Sequence, residues 1–136
     1  MDLDRALRVS AAGMAAQSTR LRVVAENMAN RDSTGSAPGA EPYRRKTVSF
    51  ANRLDRASGV ETTHVSRVGR DPTAFPERYE PAHPAADARG YVRTPNVDSL
   101  IEMMDAREAQ RSYGANLSVL EATRGMLTRT IEALRG

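Results

Sequence analysis

Leu3-Asp4-Arg5-Ala6-Leu7-Arg8-Val9-Ser10-Ala11-Ala12-Gly13-Met14-Ala15-Ala16-Gln17-Ser18-Thr19-Arg20-Leu21-Arg22-Val23-Val24-Ala25-Glu26-Asn27-Met28-Ala29 reads as one uninterrupted helix. Leu7, Met14, Leu21 and Met28 recur every seven residues, and Leu3, Ser10, Gln17 and Val24 fall between them in four-three alternation. That spacing is a narrow heptad seam, not the wide apolar stripe of a helix lying on a globular core. Ala6, Ala11, Ala12, Ala15, Ala16 and Ala25 are strong helix formers, and no Pro intervenes. Gly13 costs about 1 kcal/mol against Ala, but a small residue there lets a neighbouring helix come close. A helix of about 40 Å with so thin a seam is not stable alone in water.

The pattern returns at the other end. Pro95-Asn96-Val97-Asp98 is a helix-start signal, with Asn96 or Asp98 able to cap free N–H groups. Beyond it Tyr113, Leu117, Leu120, Leu127, Ile131 and Leu134 keep the helical step, with Gly114 and Gly125 as soft points. Between the two helices the chain changes character. Asn30 to Gly39 is turn chemistry throughout. Thr47–Phe50 reads as a short strand, and Val60–Val68, bracketed by Gly59 and Gly69, as a strand with one solvated face. Pro81, Pro84, Gly90 and Pro95 leave only Tyr91-Val92 as a further extended piece. The expected architecture is mainly α: a helix over 1–30, a loop and small irregular β-containing module over 31–96, and a second helix over 97–136. The helices pack as a coiled-coil-like pair.

Composition narrows the chemistry. The 136 residues are one domain's worth, and aromatics make up only 4%, so a self-sufficient core would be thin. Association with other subunits supplies the missing burial better than a monomeric two-helix core does. Nineteen of the twenty basic residues are Arg, spread along the chain and interleaved with acids, which argues against a nucleic-acid surface. The cluster Arg44-Arg45-Lys46 reads as an ordinary solvated patch, as does the carboxylate pair Glu102 and Asp105. There is no Cys and there are only two His, so a transition-metal site has few ligands, and His83 is separated from Asp87 by Pro84. No G-x-S-x-G or P-loop occurs. These absences point to no catalytic residue, no cofactor and no metal. No apolar run is long enough to cross a bilayer, and Asp2, Asp4, Arg5 and Arg8 break up any secretory signal.

Ser10-Ala11-Ala12-Gly13-Met14-Ala15-Ala16-Gln17 followed by Ala25-Glu26-Asn27-Met28-Ala29-Asn30 resembles the N-terminal signature of the bacterial flagellar rod, hook and hook-associated axial proteins. Ser33-Thr34-Gly35, Pro42-Tyr43-Arg44-Arg45-Lys46, Tyr79-Glu80-Pro81-Ala82-His83-Pro84-Ala85-Ala86-Asp87, Gly90-Tyr91-Val92 and Pro95-Asn96-Val97-Asp98 narrow the resemblance to the proximal rod. Glu102-Met103-Met104-Asp105 and Arg111-Ser112-Tyr113-Gly114-Ala115-Asn116 complete the set.

The resemblance implies a structural subunit of the basal-body rod in the periplasm, exported by the flagellar type III apparatus without a cleaved leader. Its partners would be copies of itself and other rod proteins, with no nucleic acid and no direct membrane insertion. Leu7, Met14, Leu21, Val24 and Met28, with Tyr113, Leu117, Leu120, Leu127, Ile131 and Leu134, are the expected subunit interface. Asn27, Asn30 and Thr34 are expected to fix the exit from the first helix, and His83, Asp87, Asn96 and Asp98 to order the central module and the start of the second. The rival readings are a sibling rod protein of the same family, a basic nucleic-acid-binding helical protein and a soluble helical adaptor.

Overall fold

In the computed structural model, which describes residues 2–136, the chain order is α1 (Leu3–Ala29), β1 (Lys46–Asp55), β2 (Val60–Arg70), β3 (Glu77–Tyr79), β4 (Tyr91–Arg93) and α2 (Ser99–Arg135). The fold is mainly α: two long helices pack together, and the segment between them forms two small two-stranded sheets, β1-β2 and β3-β4. Each helix begins on an aspartate. Asp2 Oδ1 accepts the N–H groups of Asp4 (3.1 Å) and Arg5 (3.4 Å), and Asp98 Oδ1 accepts that of Leu100 (2.9 Å), so otherwise orphaned donors are satisfied. At the end of α1, Asn30 Nδ2 donates to the Glu26 carbonyl at 2.8 Å, and Ser33 Oγ donates back to Asn30 Oδ1 at 3.1 Å.

The residues group into two compact units. One comprises Met1–Leu21, Ser49–Arg67 and Ala106–Gly136; the other comprises Arg22–Val48 and Val68–Asp105. Each unit therefore draws on both helices and on the segment between them. In both, α1 and α2 meet in opposite chain order. Within the first, Gly13 lies against Asn116 and Arg20 bonds Glu108 at 3.3 Å. Within the second, Asn27 bonds Glu102 at 3.2 Å and Arg31 bonds Ser99 at 3.4 Å.

The contact line is built from small and polar residues. Ser10, Ala16, Val23, Val24 and Asn27 of α1 are buried, as are Glu102, Ala109 and Thr123 of α2. A Cβ on Gly13 would come within 2.8 Å of the Asn116 amide, so the glycine is what permits this approach. Helices this close leave no room for large side chains between them. The leucines and methionines of the heptad seam are displaced to the flanks.

β1 runs to Asp55, well past the expected Thr47–Phe50. Its second half is exposed and shows no apolar alternation, so pairing with β2 sustains it: Ser66 Oγ donates to the Ser49 carbonyl and Thr63 Oγ1 to Asn52 Oδ1. The turn is fixed by Asp55, which accepts from Ala57 N–H and Ser58 Oγ, and by Gly59 at φ 66°. The three-residue β3 was not legible in the sequence. It pairs antiparallel with β4, Tyr79 opposite Tyr91, with their ring centroids 5.3 Å apart edge to face. Gly90, at φ 86°, could carry no side chain, because a Cβ there would meet the Tyr79 ring at 2.8 Å.

Candidate assembly surfaces

Two kinds of surface follow from the sequence: the residues that hold the central segment to the helices, and the apolar ridges left over. The first centres on Asn27. It is 1% exposed and uses all of its side-chain capacity: Nδ2 donates to the Lys46 carbonyl and to Glu102 Oε2, while Oδ1 accepts from Lys46 N–H (2.9 Å) and from the Tyr43 hydroxyl (2.8 Å). Asn27 thus ties the last turn of α1 to the first residue of β1. Burial pushes the Tyr43 phenol up from its ordinary range, keeping it a neutral donor.

Beside it Arg45 fans across three carboxylates. Nε donates to Glu102 through a short contact, Nη1 to Asp71 at 3.3 Å and Nη2 to Asp105 at 3.1 Å. Burial opposes the Arg45 charge, but the bonds to Glu102 and Asp71 and the field of Asp105 outweigh it and raise its pKa. Glu102 is fully buried. The Thr73 N–H bond holds Asp71 below the ordinary carboxylate range despite partial desolvation, and Arg45 adds to the effect. Lys46 pairs with Glu26 at 2.9 Å, and Arg44 lies 4.1 Å over the Phe75 ring while donating to the Asp71 and Thr73 carbonyls.

The sequence reading of Arg44-Arg45-Lys46 and of Glu102 with Asp105 as solvated charge is therefore wrong. Each basic residue of the cluster is engaged in the fold, Arg44 and Arg45 both through Asp71 and Lys46 through Glu26. Glu102 shares its face of α2 with Ala109, Asn116 and Thr123 at seven-residue steps, a small and polar row that the fold turns into the contact line.

The other residues expected from the resemblance make their own local bonds. Asn30 terminates α1 as described above. Thr34 Oγ1 lies 3.3 Å from His83 Nε2, and His83 Nδ1 accepts the Ala85 N–H at 3.0 Å. With Nδ1 an acceptor, the neutral ring carries its proton on Nε2 and donates it to Thr34. Asp87 Oδ1 accepts from Arg89 N–H (2.8 Å) and Tyr91 N–H (3.0 Å), turning the chain into β4; the Tyr91 bond leads in holding its carboxyl below the usual range. Asn96 is not a helix cap. Its Oδ1 accepts the Arg45 N–H at 2.8 Å and its Nδ2 reaches Asp71 and Thr73, leaving capping to Asp98. Among the described residues no group of three or more His, Asp or Glu is placed to hold a metal ion, and no helix is long and apolar enough to cross a membrane.

The expected interface residues divide. Of the α1 set only Val24 is buried; Leu7, Met14, Leu21 and Met28 are half-buried, with Met14 and Met28 one position past the contact residues Gly13 and Asn27. On α2, Tyr113 and Leu120 flank the line and are half-buried, while Leu117, Leu127, Ile131 and Leu134 are exposed, Leu134 by 83%. Leu127 and Leu134 prolong the line of Tyr113 and Leu120 past the level of Leu3, where α1 has run out at a rise of about 1.5 Å per residue. Leu100, Ile101, Met103 and Met104, in the first two turns of α2, form a second exposed apolar patch that the heptad reading passed over.

Residues 88–133 match the family described as flagellar basal body rod FlgEFG protein C-terminal. A flagellar basal-body rod protein FlgC of Agrobacterium fabrum is 52% identical over 98% of this chain and 96% of its own length. The proteins of the same name in Salmonella typhimurium and Bacillus subtilis are 42% and 38% identical, over 90% and 93% of the chain and 91% and 94% of their own lengths.

Proposed function

Since this chain belongs to the FlgC family of flagellar basal-body rod proteins, we propose that it builds the rod through the apolar ridges its own helix pair leaves uncovered. It is a structural subunit of the rod, and its relatives are rod proteins throughout; the nucleic-acid and adaptor readings are not favoured. The observation that carries the finer reading is the mismatch between contact line and seam. The helices meet over small and polar residues, and Leu117, Leu127, Ile131 and Leu134 remain in water. Contiguous apolar surface of this kind marks an interaction site. Burying it against neighbouring subunits, copies of this chain and other rod proteins, offsets the cost of ordering each subunit in place.

In this reading the polar centre around Asn27, Arg45 and Glu102 fixes how the central segment leaves the helices, and the ridges make the contacts that transmit torque along the shaft. The subunits pass through the flagellar export apparatus before assembly in the periplasm, and the helix pair faces the channel the rod encloses. No residue acts as a catalyst.

The experiment is substitution on the ridge. Leu127→Asp with Ile131→Asp leaves the melting of the purified chain unchanged but excludes it from basal bodies and abolishes swimming. Normal incorporation of the double variant would refute the ridge as the assembly surface.

A further inference from the structure

Arg53, near the end of β1, and Arg56, in the turn that follows, are exposed and have no ion-pair or hydrogen-bond partner among the described residues. The charges around them are already engaged. Arg8 Nε holds Asp4 Oδ2 at 2.8 Å, and Arg5, whose Nη2 approaches Gly59, pairs with Asp2 at 3.3 Å. Asp55 stands between the two free arginines in sequence, but its carboxylate serves the turn. It accepts the Ala57 N–H at 3.0 Å and the Ser58 hydroxyl at 2.8 Å, and the Ser58 bond leads in holding it below the ordinary carboxylate range. Glu61 follows in β2, where strand alternation sends it to the face opposite Thr62.

The two free arginines line a cleft of about 560 Å³ with Arg8, Ala11, Leu54 and Thr62. The opening is far larger than one inorganic anion fills. It also has an apolar wall, Ala11 and Leu54, of which Leu54 is 57% exposed. The hairpin that carries it has only two strands, which is marginal support in water for a tip so exposed.

We propose that this cleft receives an acidic segment of an adjoining rod subunit, with carboxylates on Arg53 and Arg56 and an apolar side chain on Leu54. This rests on the rod reading and adds to the apolar ridges a contact that selects by charge. A guanidinium presents a planar fork to a carboxylate, so each free arginine offers a bidentate site. Such pairs contribute more to specificity and register than to affinity. The ridges hold subunits together, and the cleft fixes which surface of the neighbour lies over the hairpin.

Lys46 is the chain's one lysine and is paired with Glu26, so introduced amines report against a low background. In cells whose own copy carries Arg53→Lys with Arg56→Lys, a water-soluble carbodiimide applied to purified basal bodies joins the introduced amines to Asp or Glu side chains of another subunit. Mass spectrometry of the linked peptides locates the amides, and the unmodified chain gives none at these positions. A variant chain present in basal bodies but without such amides overturns the proposal, as does linkage that adds no mass to the chain on a denaturing gel. Arg53→Glu with Arg56→Glu covers the case in which the amine-bearing pair does not assemble. It lowers incorporation about tenfold or more with unchanged melting of the purified chain, since neither arginine is bonded within the described fold, and unchanged incorporation refutes the contact. Saturable sub-millimolar binding of inorganic phosphate by the purified chain, lost on this charge reversal, would assign the cleft to free anions and overturn the proposal as well. Absence of the unmodified chain from basal bodies would instead refute the rod reading itself.

Discussion

Glu102 is a carboxylate with no access to water, held by one guanidinium and one amide. Removing the cation leaves a buried unpaired charge, whereas removing both members with apolar replacements does not. Arg45→Met is therefore expected to cost about 3–5 kcal/mol, and Arg45→Met with Glu102→Met to recover most of it; urea denaturation of the three variants checks the order. Asp71 supplies a pH dependence. Its folded pKa lies below the unfolded value of about 3.9, so its contribution is complete above that value and is lost as pH falls through the lower folded one. The urea midpoint is expected to hold near neutrality and to drop below about pH 4, and Asp71→Asn to flatten that drop.

The glycines of the helices differ in what surrounds them. Gly13 faces Asn116, whose amide also donates to the Ser112 carbonyl at 2.9 Å, whereas a Cβ on Gly114 meets nothing within 4 Å. Gly114→Ala should then stabilise the isolated chain by about 0.5–1 kcal/mol through helix propensity alone. Gly13→Ala has the same propensity gain but displaces Asn116. Its benefit should appear fully only in the Asn116→Ala background, as a non-additive term in a double-mutant cycle. An equal gain in both backgrounds would mean that the helices separate at no cost. The hairpin shows the opposite balance: Ala51–Asp55 has no strand pattern of its own and is extended because β2 pairs with it.

At the scale of the whole molecule, the chain folds around small contacts and keeps its large apolar groups outside. Ridge substitutions should therefore separate folding from assembly. Ile131→Asp or Leu134→Asp changes stability by no more than about 0.5 kcal/mol, the range of ordinary surface changes, while blocking the rod. Leu21→Asp, half-buried in α1, affects both. Calorimetry on the purified chain alongside basal-body counts distinguishes the two behaviours.

The heptad of α1, the Asp98 start of α2 and the breakers between them were readable because helix periodicity, capping and turn chemistry are local properties of the chain. Which side of each seam faces its own partner helix was not local. Leucine spacing identifies an apolar line but not its occupant, and the approach of Asn116 to Gly13 turned both helices so that small residues meet. The same holds for Arg45 and Glu102: they stand 57 positions apart in sequence, and only folding brings the guanidinium to the fully buried carboxylate, which would otherwise be an unpaired charge.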